Sequence, residues 1–431
     1  MKAEKKQYFI IIYYALLLLI LTSRQTATTA PPMVTRIAFM VAALLPTILS
    51  KQLCYPAILT MFFTITLDGY NYSFFPSTLS LYVFMTLAIT LLYFRKFRTG
   101  TIPIFVLLFA FYTFVIDLIL GAAGRGSAIF QSTFYCFVLM GCFLVTCSQN
   151  IKIALLQLPL CFATTTIVLS IAYLTHRELF ILQVIDDMER TGWTDPNYFG
   201  VAIGMGTIMG LIKLFGDNVK SLSIVEIAIY IAAVVTSVPT LAINASRGAL
   251  LSVAVGFVIL LLFSKAKLVY KIAFSLIAAY AVIYLYNNQY FDLLEYRIIN
   301  DAGTGSGRTR IWKSKLAEYS EGNLTNAIFG YGHVGGANIG GIHKGFHNDY
   351  IGFMVDYGLI GLGFLLYMLL YPIRIIPKGS KDRPSVIVLI VYLSMSMVTL
   401  EPLLTGSMGY FTFYSYALLL AKNSKQNTCR Q

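Results

Sequence analysis

The stretch Ser252-Val-Ala-Val-Gly-Phe-Val-Ile-Leu-Leu-Leu-Phe263 contains no charged side chain, and uninterrupted apolar runs of the same kind recur at residues 10–21 and 80–94. About twenty apolar residues span the hydrocarbon core of a bilayer, and shorter runs do so when flanking side chains reach the headgroups. The runs do not alternate between apolar and polar residues, which argues against a transmembrane β-barrel. The sequence therefore predicts an all-α fold, namely a polytopic membrane helix bundle.

Composition supports this fold class. Hydrophobic residues make up 58% of the chain and charged residues only 12%, whereas a soluble domain is about half apolar and about a quarter charged. The apolar runs predict about 14 transmembrane helices. They lie near residues 8–22, 33–49, 53–67, 77–94, 102–120, 128–147, 153–174, 198–215, 222–243, 248–263, 268–286, 351–371, 385–400 and 407–421.

The distribution of charge predicts the orientation of the bundle. A formal net charge of +13 would suit a nucleic-acid-binding protein, but lysine and arginine also collect on the cytoplasmic side of membrane proteins. With the N-terminus in the cytoplasm, most of the 32 lysines and arginines lie inside and most of the 19 acidic residues lie outside. Both termini are therefore predicted to be cytoplasmic, and nucleic acid is not an expected partner. The first apolar run is expected to be an uncleaved span, and cleavage after Ala30 would leave the remaining topology unchanged.

Two long hydrophilic loops are predicted on the outer side, at residues 176–197 and 287–350. Long loops on a bundle with short turns elsewhere are where function concentrates. The chain accordingly divides into four parts. These are N-terminal transmembrane helices at 1–197, central transmembrane helices at 198–286, an outer loop containing short helices at 287–350, and C-terminal transmembrane helices at 351–431.

The first candidate motif is Ser246-Arg247-Gly248, at the outer junction of two predicted spans. An arginine that faces lipid is costly, so Arg247 is expected to face protein, a cavity or the headgroup layer. A guanidinium in an outward cavity can donate paired hydrogen bonds to a phosphate. The alternative is an arginine that snorkels to the interface and binds nothing. Gly248 would let another group approach the backbone, and Ser246 is a further supporting candidate.

The second motif is Ser306-Gly-Arg308-Thr-Arg310-Ile-Trp312. Ser306 or Thr304 is expected to cap a helix that begins at Gly307 or Arg308. The first turn would then offer free N–H groups and the positive end of the helix dipole to an anion. Arg308 and Arg310 repel each other and the dipole unless an anion lies there, which predicts an anion-binding site. The alternative is a basic helix that lies on lipid headgroups.

The helix of this second motif also predicts how it docks. Trp312, Leu316 and Tyr319 recur at a spacing that places them on one face of a helix. This face is expected to pack against the bundle, with Trp312 as a supporting residue of the site.

The third motif is Phe346-His347-Asn348-Asp349-Tyr350, which leads into a predicted span. His347 is the strongest candidate base, because it begins a span at the outer face and an imidazole can remove a proton at neutral pH. Asn348 and Asp349 are expected to fix its tautomer and orientation.

A glycine-rich segment at residues 330–345 precedes the third motif. It lacks the pattern of a nucleotide-binding loop. It is expected to be a flap over the site, and the alternative is a slack loop without a role. His333 and His343 in this segment are weaker candidates for a base than His347.

In combination, the motifs resemble those of the bacterial O-antigen ligase and O-antigen polymerase superfamily. The resemblance covers roughly residues 195–370 and rests on the order of weak segments. They are Ser246-Arg247-Gly248, Gly307-Arg308-Thr-Arg310-Ile-Trp312, Gly330-Tyr-Gly332, His347-Asn348-Asp-Tyr350 and Tyr357-Gly358-Leu-Ile-Gly361-Leu. The resemblance implies a bundle similar to C-type glycosyltransferases, although residues 23–32 lack the acidic residue that some enzymes of that type place in the first outer loop.

The resemblance also implies a chemistry. It implies a metal-independent glycosyltransferase in the bacterial inner membrane, with an undecaprenyl-diphosphate-linked glycan as donor and a periplasmic active site. By motif, Arg247 and Arg310 are expected to bind the diphosphate, with Arg308 as an additional candidate, and His347 is expected to act near the acceptor hydroxyl. No cofactor is expected. No metal is expected either, because Asp186, Asp187 and Glu189 in the loop at 176–197 are interpreted as a solvated cluster.

Three functions remain open at this stage. A polymerase would add the glycan to another lipid-linked repeat unit, with a chain-length regulator protein as a further candidate partner. A ligase would add it to lipid A-core. A flippase or transporter would move a glycan without forming a bond, and it would be expected to carry charges at mid-membrane on broken helices.

Overall fold

The structure is a computed structural model that describes residues 8–17, 19, 42, 104–121, 140–141, 143–144, 147–148, 151–176, 181–185, 188–192, 196–216, 222–301, 307–333, 339, 345–400, 403 and 408–428. Its first helices are α1 (Tyr8–Leu17), α2 (Ile104–Ile116, continued by a π-helical turn at Asp117–Gly121), α3 (Ile151–Thr175), α4 (Pro196–Phe215), α5 (Ile224–Asn244), α6 (Arg247–Phe263) and α7 (Leu268–Asn287). They are followed by α8 (Asp292–Asp301), α9 (Arg308–Glu321), α10 (Leu324–Phe329), α11 (Asp349–Ile375), α12 (Arg383–Thr399) and α13 (Met408–Thr428).

The helices agree with the predicted spans wherever those spans fall on described residues. By length and composition, α3, α4, α5, α7 and α11 can each cross a membrane, and α1, α2, α6 and α12 are shorter apolar helices. The chain is a multi-pass membrane protein. The predicted spans near 33–49, 53–67, 77–94 and 128–147 lie mostly outside the described residues, so the number of about 14 spans stays a prediction.

The helix α4 lies at the centre of the bundle, because its glycines let neighbouring helices approach closely. A Cβ atom at Gly204 would overlap the hydroxyl of Tyr392 in α12, and a Cβ atom at Gly206 would overlap the side chain of Thr166 in α3. Small residues at helix contacts are typical of membrane proteins, where packing rather than the hydrophobic effect drives association.

One β-hairpin interrupts the helical pattern, in the first long loop. Its strands β1 (Ile181–Ile185) and β2 (Met188–Gly192) pair antiparallel, with Ile181 opposite Gly192. The β-branched residues of β1 favour a strand, and a two-residue connection is the usual length for a hairpin. The all-α prediction therefore describes the bundle, and this loop is its exception among the described residues.

The helix α11 is broken at Gly358, whose φ of 67° and ψ of −168° are not helical. The carbonyl groups next to the break accept hydrogen bonds from outside the helix. These bonds run from Tyr331 N to Val355 O at 3.0 Å, from Gly332 N to Asp356 O at 2.8 Å and from Tyr112 Oη to Tyr357 O at 2.7 Å. Non-helical backbone at membrane depth requires such partners within the protein.

Two glycines permit this contact. Gly330 has a φ of 84°, and a Cβ atom there would overlap the carbonyl of Asp356. A Cβ atom at Gly358 would overlap the carbonyl of Ile328. The chain after α10 and the break in α11 therefore meet backbone against backbone, which only glycine allows at both positions.

We expect Gly358→Ala to destabilise the protein by at least about 2 kcal/mol, because it adds left-handed strain to a steric overlap. The measurement is thermal unfolding of the purified protein in detergent. The matched control is Gly363→Ala, in an open position of the same helix, which should change stability by less than about 1 kcal/mol. Equal stability of the two variants would contradict the described break.

Candidate functional site

The start of α6, the start of α11 and the end of α12 meet at one end of the bundle, which we call the site end. A Cβ atom at Gly248 in α6 would overlap the side chain of Thr399 in α12. The Nδ2 atom of Asn348, just before α11, donates to the carbonyl of Val398 in α12 at 3.1 Å. The first and third sequence motifs are therefore attached to the same final turn of α12.

The polar residues that begin α11 hold this junction together. Asn348 is the N-cap of α11, and its Oδ1 atom accepts from Ile351 N at 3.0 Å. The backbone N–H of Asp349 donates to Leu400 O at 3.1 Å, and its Oδ2 atom accepts from Leu403 N at 3.1 Å. Asn348 and Asp349 thus perform capping and joining roles, and their orienting role towards His347 stays a prediction.

Arg247 is the first residue of α6 and is half-buried. Its Nη1 atom donates to the carbonyl of Arg297 in α8 at 3.0 Å. Arg297 is itself buried, with 6% exposure, and its Nη1 atom donates to Ala245 O at 2.5 Å. The two arginines therefore tie the turn before α6 to α8, and Arg247 is held against protein rather than extended into lipid.

Two residues at the site end have left-handed backbone conformations without being glycine. Ala245 has a φ of 53° and His347 a φ of 50°. Such residues are uncommon and are held in place by their surroundings, often at functional sites. Ala245 directly precedes the first motif, and His347, which is half-buried, belongs to the third.

The second motif begins α9, but its cap differs from the prediction. Gly307 is the N-cap, with a φ of 78° and no side-chain cap hydrogen bond. The predicted caps Ser306 and Thr304 lie outside the described residues. Glycine takes the position because a left-handed conformation costs it nothing. Arg308 is half-buried and Arg310 is exposed in the first turn.

The helix α9 is fastened to the residue that precedes His347. The Nε1 atom of Trp312 donates to the carbonyl of Phe346 at 2.7 Å. Lys315 is fully buried, and its Nζ atom lies 4.5 Å from the centre of the Phe346 ring, a distance typical of a cation–π contact. The predicted docking face thus includes Trp312, and the most buried positions of α9 are Ile311 and Lys315.

The far end of α9 contacts the chain after α10. The hydroxyl of Tyr319 donates to Ala327 O at 2.7 Å, and its ring lies 6.3 Å from that of Tyr331. Burial, with a smaller contribution from Tyr331, raises the pKa of Tyr319. The phenol therefore stays protonated at neutral pH and remains a hydrogen-bond donor.

A polar network next to the break in α11 was not predicted from the sequence. The Nδ1 atom of His333 lies 2.9 Å from Oδ2 of Asp356. The backbone N–H of His333 donates to Oδ1 of Asp117 at 2.9 Å, and the hydroxyl of Tyr357 donates to Oδ2 of Asp117 at 3.1 Å. A signal was present in the sequence, since Asp117 and Asp356 are acidic residues inside apolar runs, which are expensive and usually functional.

The site end combines cations with an imidazole. Arginines at the starts of α6 and α9 can hold an anion with directed, paired hydrogen bonds. An imidazole can accept a proton from a nearby hydroxyl. The arrangement suits a reaction in which an anionic group leaves and a hydroxyl attacks.

Comparison with known proteins gives a family match that covers most of the candidate residues. Residues 232–367 match the model of a family described as O-antigen ligase. This region includes the candidate residues from Ser246 to Asp349. No curated protein sequence matches the chain. The match over residues 232–367 supports membership of the O-antigen ligase and polymerase superfamily.

Proposed function

We propose that the chain transfers glycan from undecaprenyl diphosphate to a sugar hydroxyl on the outer face of the bacterial inner membrane, and that it polymerises O-antigen or capsule-type repeat units. The proposal is supported chiefly by the junction at the site end. There Gly248 meets Thr399, and Trp312 donates to the residue before His347. Three motifs that lie far apart in the sequence are thereby attached to one corner of the bundle.

In the proposed reaction, Arg247 and Arg310 bind the diphosphate, with Arg308 as a further cation. Negative charge grows on the diphosphate as the sugar leaves, so directed guanidinium groups stabilise the transition state more than the ground state. This chemistry needs no metal, because fixed cations supply the charge.

His347 is proposed to contact the acceptor hydroxyl. We expect His347→Ala to lower the transfer rate by about 100-fold or more, because a misplaced reacting group can cost about that much in rate. The measurement is glycan transfer by purified protein at equal protein concentration. His176→Ala is the control, because His176 is an exposed residue directly after α3, and its variant should keep full activity. Full activity of His347→Ala would remove this residue from the site.

A ligase is the second candidate, because the matching family is described as O-antigen ligase. The two functions differ in the glycans of a deletion strain. Loss of a polymerase leaves single repeat units on lipid A-core, whereas loss of a ligase leaves bare core and full-length glycan on the lipid carrier. The proposed polymerase predicts the first result, and the second would reassign the chain as a ligase.

A further inference from the structure

The imidazole of His333 is oriented by a carboxylate. Its Nδ1 atom lies 2.9 Å from Oδ2 of Asp356, which is completely buried. If Asp356 is ionised, it only accepts hydrogen bonds, and Nδ1 of His333 would then carry the proton and leave the lone pair on Nε2. The His333 side chain is 31% exposed, so a substrate can reach the ring. A carboxylate behind an accessible imidazole is the arrangement that orients a general base.

The backbone around His333 is fixed from several sides. Its N–H donates to Asp117 at the end of α2, and Gly332 N donates to the carbonyl of Asp356 in α11. Tyr357 holds Asp117 in turn through its hydroxyl. A base that is held before the substrate arrives loses little freedom in the reaction, which is a large part of catalytic efficiency.

His333 contacts α11 about two turns after the helix start, which belongs to the site end. Asp356 is seven residues after the start of α11 at Asp349, which is about 10 Å along a helix axis. The helix α9, whose first turn contains Arg310, contacts this region through the rings of Tyr319 and Tyr331. The inference therefore places the anomeric carbon of the donor between the arginines that bind its diphosphate and the ring of His333, with the attacking hydroxyl beside that carbon.

We propose that His333, oriented by Asp356, accepts the proton of the attacking hydroxyl, and that His347 positions the acceptor by hydrogen bonding. The inference rests on the proposed function and assigns the proton transfer within it. The hydroxyl oxygen forms the bond to the anomeric carbon, and the bond from that carbon to the diphosphate oxygen breaks with its electron pair on the diphosphate. The hydroxyl proton moves to Nε2 of His333. Asp356 stabilises the resulting imidazolium and stays ionised.

The competing explanation is a structural clamp that only holds the chain after α10. Asp356→Asn separates the two explanations, because asparagine has nearly the same shape as aspartate. Its amide N–H donates to Nδ1, so the imidazole carries its proton on Nε2 and can no longer accept one. The hydrogen bond that holds the chain after α10 is kept, but the imidazole can no longer act as the base. We expect kcat to fall by about 100- to 10,000-fold with the KM for the lipid-linked donor unchanged.

His333→Gln provides the second variant, since glutamine can also donate to Asp356 but is not a base. It should lose activity to the same extent, and its residual activity should lack the acid limb of the wild-type pH–rate profile, which reports the essential base. His347→Gln should instead raise the KM for the acceptor and keep the acid limb. His176→Gln is the control and should behave as wild type. Thermal unfolding in detergent verifies that each variant is folded.

Activity within about threefold of wild type for both folded variants, Asp356→Asn and His333→Gln, would overturn the inference, since a positioned base contributes at least about 100-fold. Loss of the acid limb in His347→Gln rather than in His333→Gln would overturn it as well. If Asp356→Asn does not fold, His333→Gln alone tests the inference. This variant should fold, because the side chain of His333 is partly exposed. Transfer that survives Arg247→Ala would refute the proposed function itself. If transfer is lost in Arg247→Ala but kept in Asp356→Asn and His333→Gln, only the role of His333 is refuted.

Discussion

Arg247→Ala will lower the rate of glycan transfer by about 100- to 1,000-fold, the usual loss when one directed donor to a developing anion is removed. Arg247 begins α6 and is held by the carbonyl of Arg297. Alanine removes the guanidinium but leaves the helix start intact, so the protein should still reach the membrane. Arg247→Lys should restore little of the activity, because an ammonium group cannot reproduce paired guanidinium hydrogen bonds. The measurement is transfer by purified protein with a lipid-linked oligosaccharide as donor.

The matched control is Arg383→Ala. Arg383 also begins a helix and donates to a backbone carbonyl, that of Ile376 at 3.1 Å. It lies at the start of α12, whose other end forms the site end. A general requirement for arginine at helix starts would weaken both variants equally. The site predicts that only Arg247→Ala is inactive, and equal activity of the two variants would contradict the assignment.

Arg310→Ala is expected to reduce transfer by a similar factor, about 100-fold or more. Arg310 is exposed in the first turn of α9, where the helix dipole favours an anion. Because its side chain is exposed, the substitution should leave thermal stability unchanged. The loss should appear in transfer alone, measured on purified protein at constant ionic strength.

Lys313→Ala is the control for Arg310. Lys313 is an exposed cation on the same helix, one turn further from its start. If α9 bound lipid headgroups only through its overall basic charge, the two variants would lose similar activity. The proposed diphosphate site predicts near-normal transfer by Lys313→Ala, and an equal loss in both variants would favour the headgroup explanation.

The sequence predicts the helices and the motifs because both depend on local pattern. An apolar run such as residues 252–263 forms a helix wherever it lies in a bilayer, since its backbone must be hydrogen-bonded internally. The attachment of α9 to the residue before His347 agrees with the predicted docking face, which included Trp312. These features need no knowledge of distant contacts.

The remaining features depend on contacts between distant parts of the chain. Arg297 lies in a short polar helix and Lys315 in a basic one. From the sequence, both residues are therefore expected to be exposed, yet both are buried. Their burial depends on the carbonyl of Ala245 and the ring of Phe346. The sequence ranks His333 too low as a candidate site residue for the same reason, because its partner Asp356 follows 23 residues later.

The broken helix bears on the transporter alternative. The helix α11 is interrupted at Gly358, next to the buried carboxylate of Asp356, and transporters also carry charges on discontinuous helices. If the chain is a transferase, the carbonyl groups at this break instead accept hydrogen bonds from the backbone that holds His333. The two explanations differ in whether a covalent bond is formed.

The most direct test uses purified protein in liposomes with an undecaprenyl-diphosphate-linked oligosaccharide as the only substrate. Glycan length and free undecaprenyl diphosphate are measured together, with wild type and Arg247→Ala compared. The transferase predicts longer glycans and one undecaprenyl diphosphate released for each glycosidic bond formed by wild type, and about 100- to 1,000-fold slower formation of both products by Arg247→Ala. Movement of the intact lipid-linked oligosaccharide across the bilayer without bond formation would contradict the account.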